Sequence, residues 1–176
     1  MTRMLRRLAL GLAATLLPLA GIGFAAPADA APTVVTLHYS ASGITHYSAQ
    51  VVQAVKNWDT RLKNVQLVSG GTATIRLHEI NGGGSYTNTD GHGHGDIYID
   101  RQQVAQGFDP TRILTHEFGH NLGLPDDYTG PCSEVMSGHG PGTACKNAIP
   151  SAAEVATVDA NFRNGFAAVA ELHSVH

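Results

Sequence analysis

His116-Glu117-Phe118-Gly119-His120-Asn121-Leu122-Gly123-Leu124-Pro125-Asp126 is the stretch from which the rest of the chain is best read. Ile113, Leu114, Phe118 and Leu122 recur at helical spacing, which predicts a helix from about Thr111 to Leu122 with one apolar face. On such a helix His116 and His120 share a face, about 6 Å apart along the axis. Two imidazoles so placed can converge on one ion, and zinc takes nitrogen ligands at about 2.1 Å. Glu117 points to the side of that ion, where it can accept a proton from a bound water rather than ligate. Gly123 suits the left-handed conformation that ends a helix, and Pro125 prevents its continuation. The resulting turn can swing Asp126 back as a third, oxygen ligand, with one tetrahedral position left for water. Asp127 and Glu134 compete for that place, Glu134 from a loop. An exposed helix face with two histidines and a solvated acid would carry the same five-residue pattern; the apolar face argues against it here.

Working outward, Thr33 to Tyr39 alternates and is rich in β-branched residues, so it reads as a strand. Tyr47 to Leu62 places Val51, Val52, Val55 and Trp58 at helical spacing. Val65 to Val68 and Thr72 to His78 read as a strand pair turning at Ser69-Gly70-Gly71. Ser85 to Asn88 reads as a short edge strand, Asp96 to Asp100 as a further strand, and Arg101 to Pro110 as a polar linker. Residues 124–150 are rich in Gly, Pro and Ser and should be irregular. Ser151 to Asn164 reads as a final helix, with Ser151 as N-cap and Glu154 completing a capping box. This order predicts an α+β fold: one domain, helices packed on a small mixed, twisted sheet.

The chain has 176 residues, and its beginning reads as an export signal. Arg3, Arg6 and Arg7 precede an apolar run from Leu8 to Phe24, and Ala28-Asp29-Ala30 has the small-x-small cleavage pattern. Gly11, Pro18, Gly21 and Gly23 interrupt that run, which is short for a membrane-spanning helix. The expected division is therefore residues 1–30 as signal and residues 31–176 as one folded domain, with no membrane attachment after cleavage. The whole chain carries 11 basic against 14 acidic side chains, and the acidic excess grows once residues 1–30 are set aside. That balance speaks against a nucleic-acid partner, which would want a basic face. In an exported protein Cys132 and Cys145 read as a disulfide; thiolate zinc ligands are the alternative, without the CxxC spacing such sites favour.

The pattern HExxHxxGxxD, followed by Met136 within Cys132-Ser133-Glu134-Val135-Met136-Ser137, resembles the metzincin clan of zinc proteases. Aspartate in the third ligand position makes it similar to the snapalysin family, the small neutral proteases of streptomycetes. Thr33 to Thr36, Asn64 to Leu67, the Gly84 to Gly93 segment, Gly130 to Ser137 and Gly140 to Gly142 are similar to that family too. The resemblance implies a metzincin-like domain, a secreted endopeptidase acting on proteins or peptides, and preference for an aromatic residue immediately after the scissile bond; a small secreted protease is more often a monomer, which is the state expected here. It implies zinc held by His116, His120 and Asp126, Glu117 as base, and Met136 as an apolar floor below the metal. It further implies Tyr128 near the metal as hydrogen-bond donor to a developing oxyanion, calcium at Asp109 and Thr111, and a Cys132–Cys145 disulfide. Without the resemblance, Asp109 and Thr111 would read as a helix cap and Tyr128 as a surface tyrosine. Family precursors usually place a propeptide between signal and enzyme, whereas the family-like sequence here starts almost directly after Ala30, so either that segment is absent or the start differs.

Two other functions fit the same residues less well. A catalytically silent zinc-bearing peptide-binding module would have no chemical need for Glu117. A structural zinc domain would close its site with four side chains. His92 and His94, in Gly91-His92-Gly93-His94-Gly95, read as a structural or cleft element before a second metal site; His139, His173 and His176 have no assigned role.

Overall fold

The computed structural model describes residues 33–163. Strand β1 (Val35–Gly43), helix α1 (Ser48–Asp59) and strand β2 (Val65–Ser69) come first, followed by β3 (Ile75–Ile80), β4 (Tyr86–Thr89) and β5 (Gly95–Asp100). Helices α2 (Arg101–Ala105) and α3 (Pro110–Asn121), a single 3-10 turn at Val135–Ser137, and α4 (Ala152–Asn161) complete the fold. The five strands lie in the order β2-β1-β3-β5-β4. The first four are mutually parallel, and β4 pairs antiparallel with β5 at the edge. This is the mixed α/β single domain expected from the element order.

Strict alternation along the strands determines how the sheet is covered. Val35, Leu37 and Tyr39 on β1, Val65 and Leu67 on β2, Ile75 and Leu77 on β3, and Ile97 and Ile99 on β5 are all buried. Their partners on the other face, among them Thr36, Gln66, Arg76, His78 and Tyr98, are exposed or half-buried. Parallel sheets are usually covered on both faces; here α1 and α3 pack against one face and the other stays open. Trp58 links the two helices: it is fully buried, and its indole N–H donates to the Thr115 carbonyl on α3 at 2.9 Å. Among the described residues no helix is long and apolar enough to cross a membrane.

The structure corrects two expectations. β2 and β3 are not a pair; β1 lies between them. Gly70 to Thr74 instead steps across β1, with Gly70 N–H donating to Tyr39 and Thr74 N–H to His38. A glycine turn between two β-rich runs looks the same whether the second strand folds beside the first or beyond a third. The stretch read as a polar linker contains α2, whose N-cap is Asp100. The Asp100 carboxylate accepts from the N–H groups of Gln102, Gly82 and Gly84 at 2.8, 2.6 and 2.9 Å, so it also fixes the glycine loop before β4. Five residues are too few to show a helical period.

One buried guanidinium organises the long irregular segment between α3 and α4. Arg112, in the first turn of α3, donates to the carbonyls of Gly138 (3.2 Å), Cys132 (3.3 Å), Asn147 (2.6 Å) and Glu134 (2.9 Å), and to the Ser137 hydroxyl (2.7 Å). The Cys132–Cys145 disulfide closes a loop within the same segment, worth roughly 3 kcal/mol on a chain-entropy estimate. From the other side the Ser151–Glu154 capping box is formed as expected. Glu154 does more than cap: its Oε1 accepts from the Met136 N–H at 2.7 Å. Replacing Arg112 by Met keeps most of the side-chain volume but strands these buried acceptors. A loss of about 3 kcal/mol in unfolding free energy is expected, to be measured by urea denaturation against the parent protein.

Candidate metal centre

Asp109 opens α3 as its N-cap, accepting from the Arg112 N–H at 2.9 Å, with Pro110 in the first helical position. The helix then carries His116, Glu117 and His120 into the floor of a cleft of about 330 Å³. Its end is a Schellman motif: Leu124 N–H donates to Gly119 and Gly123 N–H to His120, with Gly123 at φ 86°. That ending turns the Leu124 carbonyl onto the ring of His120, whose Nδ1–H donates to it at 2.9 Å. The Nδ1–H of His116 donates to the Val135 carbonyl at 3.0 Å. Each neutral ring has then spent its only proton on a carbonyl, so both Nε2 atoms are bare acceptors.

These two acceptors face each other at 3.1 Å. Asp126 Oδ1 lies 3.2 Å from the His116 nitrogen and 3.4 Å from that of His120. Two lone pairs and a carboxylate oxygen pointed at one another repel unless a cation lies between them. His116, His120 and Asp126 are the group of possible metal ligands found among the described residues. The competitors for the third place are turned elsewhere: the Asp127 carboxylate accepts from the Thr129 hydroxyl at 2.8 Å, and Glu134 is outside the group. Burial first, and then the repulsion a second proton on neighbouring His120 would bring, holds His116 down to about 4, a preference for the neutral form that a ligand requires.

Glu117 is 4 % exposed, and burial pushes its carboxyl up to about 8. The Thr87 hydroxyl on edge strand β4 donates to its Oε2 at 2.7 Å. Below the histidines, Gly119 is a close approach: a Cβ there would stand 2.5 Å from the Met136 sulfur. Met136 is 4 % exposed, and its thioether lies against Gly119, the residue before His120. Tyr128 lies at the cleft mouth beside Asp126, and its phenol is pushed up to about 12, by burial first and by Asp126 next. Its ring leans on His139, with centroids 4.5 Å apart.

The residues expected to act together at this site are thus brought together, while Asp109 and Thr111 stand at the start of the same helix. His92 and His94 lie in the β4–β5 turn, their N–H groups donating to Asp90 and His94 Nδ1 3.0 Å from its carboxylate. Residues 1–30, His173 and His176 lie outside the described residues. Sequence reading missed Thr87, Arg112 and the second role of Glu154. An edge-strand threonine, a helix arginine and a capping glutamate have no pattern that announces a partner so far along the chain.

A sheet-backed helix with a converging His-His-Asp group and a buried glutamate at the foot of a cleft is the arrangement a metalloprotease needs. The chain belongs to the Streptomyces extracellular neutral proteinase (M7) family, which matches residues 34–165. It is 47% identical over 132 residues to an extracellular small neutral protease of Streptomyces caespitosus, covering 74% of this chain and 99% of that one. It is 46% identical to the protein of that description from Streptomyces sp. (strain C5) and 43% to the one from Streptomyces lividans, covering 59% and 61% of those chains. Among solved structures it is similar to that of myroilysin, at a TM-score of 0.49 and 17% identity, over 74% of this chain and 94% of the other.

The closeness of Gly119 to Met136 has a measurable consequence. In a Gly119→Ala protein the added methyl must displace the Met136 sulfur, which packs against the helix that carries both histidines. Metal affinity should fall roughly ten- to a hundredfold, as for other losses of support to ligands, read by competition with a chromophoric chelator.

Proposed function

We propose that this chain is a secreted, monomeric, zinc-dependent endopeptidase that hydrolyses peptide bonds in extracellular proteins, with Glu117 as general base. The observation that carries the reading is the meeting of His116 Nε2, His120 Nε2 and Asp126 Oδ1 beside the buried Glu117 carboxyl. Their separations of 3.1, 3.2 and 3.4 Å fit zinc. A tetrahedron with ligands about 2.1 Å from its centre has edges of about 3.4 Å. When bound, zinc supplies a Lewis acid that polarises the scissile carbonyl and acidifies a water molecule.

The protein's own residues do the rest. Glu117 takes the proton of the attacking water and delivers it to the amide nitrogen as the C–N bond breaks. Thr87 holds one carboxylate oxygen of Glu117 and so aims the other into the cleft. The Tyr128 hydroxyl, at the cleft mouth, donates to the oxyanion that develops on the carbonyl. Phe108, Ile113 and His139 are among the residues that line the cleft and give it apolar and ring surface, which supports preference for an aromatic residue immediately after the scissile bond. No nucleic-acid or membrane partner is part of this reading. Calcium at Asp109 and Thr111 belongs to it by family resemblance; Asp109 has one carboxylate oxygen spent on the helix cap and a second to offer.

Residues 1–30 are read as the export signal and residues 31–176 as the peptidase domain. Intact mass of the exported protein should correspond to a chain beginning at Ala31; a retained Arg3-to-Ala30 segment would refute cleavage there.

Casein hydrolysis by the purified protein should disappear on chelation and return with zinc, while calcium alone should raise thermal stability without restoring turnover. Glu117→Gln should bind zinc as the parent does and lose about a hundred- to ten-thousandfold in kcat. Parental activity in a zinc-loaded Glu117→Gln protein would remove Glu117 as base.

A further inference from the structure

The open face of the sheet carries a row of rings that runs across the strands and stops at the cleft. His78 on β3 is in register with Tyr98 on β5, and Tyr98 with Tyr86 on β4. The His78 and Tyr98 rings stack with centroids 4.9 Å apart, and Tyr98 and Tyr86 at 4.5 Å. The planes are within 21° and 15° of parallel. His78 is held in orientation by its Nε2, 2.8 Å from Asp96 Oδ1. These spacings match the distance of about 4.8 Å between adjacent strands, so each ring stands on edge and faces the ring of the next strand. On the inner side the row ends at Gly43 of β1, which pairs with His78 and has no side chain to add. On the outer side it ends at Tyr86, which is 44 % exposed.

Beyond Tyr86 there is no further strand among the described residues, because β4 is the last in the sheet. That edge is also a wall of the cleft, lined by Ser85, Tyr86, Thr87 and Thr89. An extended peptide lying in the cleft can pair with β4 as a sixth strand. Its side chains would then continue the alternation of β4. Those opposite Thr87 face Glu117 and the metal group, and the one opposite Tyr86 points to the open face, about one strand spacing from the Tyr86 ring.

We propose that Tyr86 is a specificity-determining residue: an aromatic side chain of the substrate stacks on its free face and extends the His78–Tyr98–Tyr86 row by one ring. The inference rests on the endopeptidase reading and adds a second preference to it. The aromatic residue selected here lies an odd number of positions from any side chain that enters the cleft, since it points to the opposite face. Substrates are therefore extended segments with aromatic residues on both faces of the strand they form. A row serving only to stabilise the sheet would predict no such preference.

The test uses the zinc-loaded protein and a set of quenched fluorescent peptides, each cleaved at one bond. The residue after that bond is kept constant, and Ala or Tyr is placed at each other position in turn. The parent should prefer Tyr over Ala at one outward-facing position by roughly three- to tenfold in kcat/KM, as expected for one aromatic pair. Because the stack forms equally in the ground and transition states, the gain should appear as a lower KM. In Tyr86→Val, which keeps a strand-forming residue, the ratio at that position should fall to about one. In Tyr86→Phe, which keeps the ring, it should persist.

A Tyr86→Val ratio equal to the parent's, or a parent ratio near one at every outward position, overturns the proposal while leaving the endopeptidase reading intact. Failure of the zinc-loaded parent to cut any peptide of the set or casein overturns that reading and the proposal with it.

Discussion

A single buried cation holds the long irregular segment of this domain in place. Between α3 and α4 the chain runs from Gly123 to Ser151 with only one 3-10 turn, and its carbonyls have no ladder to satisfy them. Loops this long within a compact domain are uncommon without a functional reason. The Arg112 guanidinium reaches out of the first turn of α3 and collects acceptors from Cys132, Glu134, Ser137, Gly138 and Asn147. The planar fork of arginine can serve several acceptors in fixed directions, which lysine cannot. Glu154 reaches the same segment from α4 at Met136, and the disulfide closes it between Cys132 and Cys145.

The metal centre inherits its geometry from that arrangement. Two of the candidate ligands come from the rigid helix, but each is oriented by a carbonyl outside it: Val135 for His116 and Leu124 for His120. The third candidate ligand, Asp126, and Met136 beneath Gly119 both lie in the segment that Arg112 and Glu154 hold. Asp127 N–H donates to the Met136 carbonyl at 2.8 Å, tying ligand turn to floor. Orientation is thus built before any ion arrives, and the ligands lose little freedom on binding.

Edge strand β4 serves the cleft with both of its faces. Thr87 turns inward to the carboxylate of Glu117, and Tyr86 turns outward to the row of rings. An open edge is ordinarily a liability, because its unpaired backbone invites other strands. Here β4 is four residues long, short enough to limit unwanted pairing and well placed to receive an extended peptide.

Several features were legible in the sequence because they depend on neighbours in the chain. Spacing alone placed His116 and His120 on one face, Gly123 and Pro125 marked the helix end, and Ser151 with Glu154 announced a capping box. The same alternation that made Val35 to Tyr39 a strand also fixed which of its side chains are buried. Other features depend on residues brought together from distant positions. Nothing local says that β1 lies between β2 and β3, that Asp100 caps a five-residue helix, or that Thr87 meets Glu117 thirty positions away. The same holds for Arg112, Met136 beneath Gly119, and the register that stacks His78, Tyr98 and Tyr86. By itself the sequence determined the candidate ligands, the candidate base and the helix that carries them, because a helix repeats at a fixed short period. Tertiary structure alone decided how those groups are oriented and what surrounds them, because hydrogen bonds and packing between segments follow distance in space and leave no period along the chain.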